Sequence, residues 1–183
     1  MTAHMPTGWT YADLVAMPET TQRHEIIDGA LVTSPTPHAW RHQRCITTLL
    51  MHIGHWNNQH QRGEVFTSPI DVVATPTKVV QPDVLFIAQE QLHIVGAYVD
   101  GAPDLVMEVV SPSNEAYDRV TKFRLYEQIG VGEYWIVDPI MQQIEVFLLV
   151  DGRYKMTGTY PMGTSAVSTL LDGLNVPVDA IFG

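Results

Sequence analysis

The sequence predicts an α/β fold, one domain over residues 1–183 in which a mixed β-sheet is flanked by helices. Three observations predict it. Segments of helical period alternate with β-rich segments along the whole chain, the order expected of a sheet covered by helices. Leu105–Val110 is apolar on both faces except at Glu108, as a strand buried in the middle of a sheet should be. No repeat, low-complexity tract or linker-like stretch divides the 183 residues.

Each element follows from its local pattern. Thr10–Met17 reads as a short helix stopped by Pro18. His24–Thr33 reads as two strands turning at Asp28-Gly29, a dipeptide suited to tight hairpins. After the break at Ser34-Pro35-Thr36-Pro37, residues 39–59 carry Ile46, Leu49, Leu50, Ile53 and Trp56 at helical spacing. Glu64–Ala74 and Val79–Ala88 read as strands separated by a Thr-Pro-Thr turn. Pro82 cannot donate to a ladder, which predicts an edge or a bulge for the second. Ser111-Pro112-Ser113 ends the central strand, and Asn114–Ile129 is an amphipathic helix closed by Gly130. Glu133–Val137 is a buried strand with Tyr134 and Trp135 as core, and Ile144–Tyr160 is a hairpin about Asp151-Gly152.

Composition narrows the function classes. Apolar runs reach about five residues, far short of the ~20 that span a bilayer, so no membrane association is expected. The N-terminus lacks the basic and apolar regions of a signal peptide, and the one cysteine, Cys45, suits a reducing cytoplasm and a place in the core. Ten basic residues stand against twenty acidic ones, a net charge of −10. That balance opposes tight nonspecific binding of nucleic acid unless the cations gather in one place.

Glu108 carries the chemical question. A carboxylate inside an apolar strand is costly without a partner, so it either turns to solvent or a helix N-terminus at the strand end, or meets a metal or another charge. Asp83 poses the same choice: Pro-Asp can mark a turn, but four apolar residues follow at once. On a wheel at ~100° per residue Lys122 falls between Leu125, Tyr126 and Ile129, with Asp118 one turn earlier, which turns the amine inward unless it snorkels. Glu25, taken alone, is an ordinary half-exposed strand residue. Two strand carboxylates with a lysine suit phosphodiester hydrolysis assisted by Mg²⁺ or Mn²⁺. Clustered carboxylates without metal predict mutual repulsion, at least one raised carboxyl pKa, and no loss of stability in Glu108→Gln. The histidines offer a rival zinc site (His38 and His42, or His52, His55 and His60), but no HExxH glutamate accompanies them, and they read as surface residues.

HEIIDG (24–29), QPD (81–83), APDLVMEVVSPSN (102–114) and DRVTKFRLYEQIGVGEYWIVDP (118–139) together resemble the Uma-type endonuclease family, of the restriction-endonuclease-like PD-(D/E)xK superfamily. The resemblance implies a restriction-endonuclease-like core with added N- and C-terminal β elements. It assigns Asp83 to the PD aspartate and Glu108 to the (D/E) position. The lysine expected two residues later is Val110 here, and Lys122 on the next helix resembles its replacement. Glu25 resembles an additional acidic ligand. The implied metal ligands are Glu25, Asp83, Glu108 and the Val109 backbone carbonyl, with Lys122 catalytic and His42, Asp118 and Tyr126 lining the site. The expected protein is a cytoplasmic, Mg²⁺- or Mn²⁺-dependent endonuclease acting on DNA, with a homodimer as the means of building a basic surface. The alternative is a non-catalytic nucleic-acid-binding or interaction protein that keeps the fold.

Overall fold

Two Asp-Gly pairs turn the chain where hairpins are expected, each with both residues in the left-handed region: Asp28 and Gly29 at φ 49° and 77°, Asp151 and Gly152 at 53° and 72°. They lie in a computed structural model that describes residues 8–20, 22–34, 40–111 and 117–183, with the side chains of Ser34 and Asp118 left out.

The N-terminal helix α1 (Tyr11–Val15) is capped by Thr10, whose hydroxyl and amide exchange hydrogen bonds with Asp13. It packs on a four-stranded antiparallel sheet of β1 (Arg23–Ile27), β2 (Ala30–Ser34), β4 (Val72–Thr75) and β5 (Lys78–Val80), in the order β2-β1-β5-β4. The larger sheet holds β3 (Gly63–Thr67), β6 (Val84–Ala88), β7 (Leu105–Val109), β8 (Glu133–Asp138), β9 (Gln143–Val150) and β10 (Arg153–Pro161), ordered β10-β9-β8-β7-β6-β3. Its one parallel pair is β7–β8. Parallel neighbours need a crossover, and here it includes a π-helical turn, Tyr117–Lys122, running into α3 (Phe123–Ile129), which Gly130 ends at φ 91°.

Both faces of this sheet are covered. The long helix α2 (Trp40–His60) lays Cys45, Ile46, Leu49, Ile53 and Trp56 on Val84, Phe86, Leu105 and Met107. A small hairpin of β11 (Ser165–Val167) and β12 (Asn175–Pro177), with α4 (Val178–Phe182), completes that side. On the other face Leu125 and Tyr126 pack with Leu85, Val106 and Tyr134. Among the described residues no helix is long and apolar enough to cross a membrane.

Two expectations need correction. Glu64–Ala74 and Val79–Ala88 are not single strands: each divides at a proline segment, Ser68-Pro69 and Gln81-Pro82-Asp83, into strands of different sheets. Pro82 therefore marks a transfer between sheets, where no ladder needs its missing N–H, and neither β5 nor β6 is an edge strand. The helix after the central strand also differs, since its first described turn is π-helical. His38, the Pro35–Pro37 break and residues 112–116 lie outside the described residues.

Candidate active site

The transfer at Pro82 sets Asp83 immediately before β6. Val84 pairs with Met107 across the antiparallel β6–β7 ladder, so the next pair outward is Asp83 and Glu108. Asp83 alternates with Leu85, and Glu108 with Val106, so both carboxylates belong to the sheet face covered by α3. On β1, Ile26 enters the core beneath α1, while Arg23, Glu25 and Ile27 share the opposite side, facing the larger sheet. Three carboxylates from three elements thus converge in the interior: Glu25 and Glu108 are 1% exposed and Asp83 2%.

Cations hold them together. Arg23 spreads its guanidinium between two of them, Nη2 at 3.3 Å from Glu25 Oε1 and Nη1 at 3.3 Å from Asp83 Oδ1. Lys122 Nζ lies 2.8 Å from Glu108 Oε1 and 3.4 Å from Glu25 Oε1. His42, from the first turn of α2, brings Nε2 to 3.3 Å from Asp83 Oδ2. Uncharged donors add to this. The Val109 amide donates to Asp83 Oδ2, the Gln81 amide to Glu25 Oε1, and Tyr117 and Tyr126 donate their hydroxyls to Glu25 and Glu108.

The charge pattern reverses the expected repulsion for two of the carboxylates. Burial pushes the Glu25 carboxyl up, but Lys122 and Arg23 outweigh it and hold the group below its ordinary range. Asp83 is likewise held well below that range, burial being outweighed by His42 and Arg23. Burial opposes a charged His42, yet Asp83 and the Val109 carbonyl leave the imidazole raised and its protonated form favoured. The stability expectation for Glu108→Gln falls with it, because Glu108 neutralises a buried ammonium rather than crowding other anions.

The structure brings Glu25, Asp83, Glu108, Lys122, His42, Tyr126 and the Val109 backbone into one cluster. The side chain of Asp118 lies outside the described residues. His42 is buried rather than a surface histidine, and Glu25 is not half-exposed. Arg23 and Tyr117 are additions that the pattern reading passed over. The period of two on β1 puts Arg23 on the Glu25 face, a signal present in the sequence. Tyr117 was hidden by the winding: the π turn brings Lys122 Nζ to 5.7 Å from the Tyr117 ring centroid, which a wheel at α-helical pitch does not anticipate.

Carboxylates and a backbone carbonyl, without sulfur, are the donors a hard divalent cation takes. In chemistry the set fits such an ion. In arrangement the carboxylates are drawn to Arg23 and Lys122, and among the described residues no three His, Cys, Asp or Glu side chains stand ready around one point. Among the described residues two buried nitrogens in the same place lack a hydrogen-bond partner, Arg23 Nε and His42 Nδ1.

A family described as "Putative restriction endonuclease", Uma2, matches residues 11–179. The chain belongs to this family. Among solved structures it is similar to a protein of Anabaena variabilis ATCC 29413, described as "a putative nuclease belonging to DUF820". The two share 17% identity over 94% of this chain and 97% of the other, with a TM-score of 0.78. At that identity the likeness establishes a shared fold, here the nuclease-like mixed α/β fold. No curated protein matches the chain.

Proposed function

We propose that this Uma2 protein is a metal-dependent endonuclease that hydrolyses phosphodiester bonds in DNA. One observation carries the reading: Glu25, Asp83 and Glu108, from separate elements, are buried together beside Lys122, an arrangement of opposed charges that folding alone does not require. Glu25, Asp83, Glu108 and the Val109 carbonyl would hold Mg²⁺ or Mn²⁺. The bound ion would lower the pKa of a water and offset charge on the transferring phosphoryl group. Lys122 supplies a fixed ammonium for the charge that develops on phosphate oxygens. Tyr126 and Tyr117 orient Glu108 and Glu25 through their hydroxyl hydrogen bonds. Arg23 Nε and, in the protonated ring, His42 Nδ1 offer N–H donors, which suit a ligand rich in acceptor oxygens, as a phosphodiester is.

The test is cleavage of plasmid and oligonucleotide DNA with Mg²⁺, Mn²⁺ or EDTA, comparing the native protein with Glu108→Gln and Asp83→Asn. The expected result is metal-dependent cleavage lost in both variants. Undiminished cleavage in either, or in EDTA, refutes the reading. A second reading, a nucleic-acid-binding module without catalysis, is favoured by the occupation of the cationic positions by Arg23 and Lys122. Calorimetric titration with Mn²⁺ separates the two, since a binding module needs no metal. A homodimer belongs to the proposal as a way to enlarge the basic surface of an acidic chain, and sedimentation in solution tests it.

A further inference from the structure

An acidic chain that handles nucleic acid must concentrate its few cations. Of its ten Lys and Arg residues, Arg23, Lys78, Arg119, Lys122 and Arg153 are engaged in ion pairs. Three of the others are scattered. Arg62 borders a cleft shared with Glu90 and Asp104, Arg124 one shared with Asp28, and Lys155 lies on the edge strand β10. Arg41 and Arg44 differ. Both are exposed on the first turns of α2, three residues apart and so neighbours on the helix surface. Together with Trp40 they border a cleft of about 160 Å³ that continues to Pro139, Gln142 and Phe182, and no Asp or Glu side chain lines it among the described residues. Trp40 is 65% exposed, and the Arg41 guanidinium lies 5.4 Å from its ring centroid.

We propose that this face of α2 binds single-stranded nucleic acid, with a base stacked on Trp40 and backbone phosphates on Arg41 and Arg44. The inference deepens the nuclease reading and rests on it. A large aromatic surface left in water beside two cations with no Asp or Glu side chain in their cleft among the described residues is the combination by which single strands are held: every base has a face to stack, and every linkage carries a charge. A duplex keeps its bases stacked on one another and cannot use Trp40 in this way. The placement also connects to the buried carboxylates. His42, next to Arg41 in the chain, reaches Asp83 from the other side of the same helix, so a strand held on this face passes about one helix diameter, ~10 Å, from the cluster.

The test is fluorescence anisotropy of a labelled single-stranded oligonucleotide and of its duplex in EDTA, over a range of salt, with the full chain. The native protein is expected to bind the single strand more tightly than the duplex. Trp40→Ala should weaken single-strand binding about tenfold. The double variant Arg41→Gln/Arg44→Gln should reduce the slope of log affinity against log salt by about 1.4, two phosphate contacts at ~0.7 each. Arg62→Gln/Lys155→Gln, the same loss of charge elsewhere, should change neither. Equal binding by the native protein and the α2 variants overturns the inference while metal-dependent cleavage, measured separately, leaves the nuclease reading intact. Preference for the duplex, with Trp40→Ala unchanged, also overturns it. All the altered side chains are exposed, and unchanged thermal unfolding of each variant excludes misfolding as the cause.

Discussion

Glu108 and Glu133 sit on the neighbouring parallel strands β7 and β8, at opposite ends of the sheet, and both are buried, at 1% and 0% exposure. Their surroundings differ in kind. Glu133 accepts hydrogen bonds from the Trp135 indole and from the amides of Thr169 and Leu170, so its charge is met by uncharged donors that tie β8 to the loop preceding β12. Glu108 is met by an ammonium that also serves Glu25, within a cluster where Arg23 links Glu25 to Asp83. Burial of a carboxylate is therefore no sign of chemistry by itself. What separates the two ends is sharing: a carboxylate fixed by dedicated dipoles holds the fold together, whereas carboxylates that share a few cations can exchange partners when a ligand arrives.

Breaking the structural end should have the largest effect. Glu133→Ala leaves the buried Trp135 indole and the part-buried amides of Thr169 and Leu170 without their acceptor and opens a cavity, and we expect a loss of about 4 kcal/mol in urea unfolding, with Mn²⁺ affinity unchanged in whatever fraction remains folded. A loss of Mn²⁺ binding by folded protein would erase the distinction between the two ends. Next comes Lys122→Met, which leaves Glu25 and Glu108 short of a cation; about 3 kcal/mol should be lost near neutral pH and much of it recovered in acid, where the carboxyls can take up protons. Equal losses at both pH values would mean that the lysine contributes packing alone. Glu108→Gln keeps the shape but leaves Lys122 less well neutralised, so about 2 kcal/mol should be lost in EDTA, and calorimetry should find no Mn²⁺ binding.

The smallest effect sharpens the comparison through pH. Glu25 and Asp83 are held below the ordinary carboxyl range in the folded protein. The unfolded chain therefore takes up protons first as pH falls, so the stability these groups contribute is complete above that range and lost on acidification. The slope should reach at most ~1.4 kcal/mol per pH unit for each group, and Asp83→Asn should flatten it by one group's share. His42 works in the opposite sense. Its raised pKa stabilises the fold below the unfolded histidine value, and that part disappears as pH rises through the folded one. An acid limb unaltered in Asp83→Asn would show that the cluster does not set the pH dependence.

Much of this was written locally. The central position of β7 follows from apolar residues on both faces, and both Asp-Gly turns follow from the conformational tolerance of those residues. The inward direction of Lys122 followed from helical spacing even though the turn that holds it winds differently, because Leu125 and Tyr126 still fix which side of the crossover is buried. The same period-based reasoning failed at Val79–Ala88. Alternation cannot say that a chain leaves one sheet at Pro82 and enters another at Val84.

By itself the sequence determined the succession of strands and helices, the buried character of the sheet, and an inventory of carboxylates in apolar surroundings, since each depends on residues close together in the chain. Only the tertiary structure decided which cation meets which carboxylate. Arg23 and Asp83 are 60 residues apart, and Tyr117 and Glu25 are 92. Such pairings depend on how two sheets and a crossover pack, so the same three acids could have repelled one another or been neutralised. Packing placed Arg23 and Lys122 among them because charges withdrawn from water are tolerated in an interior only when opposite charges accompany them.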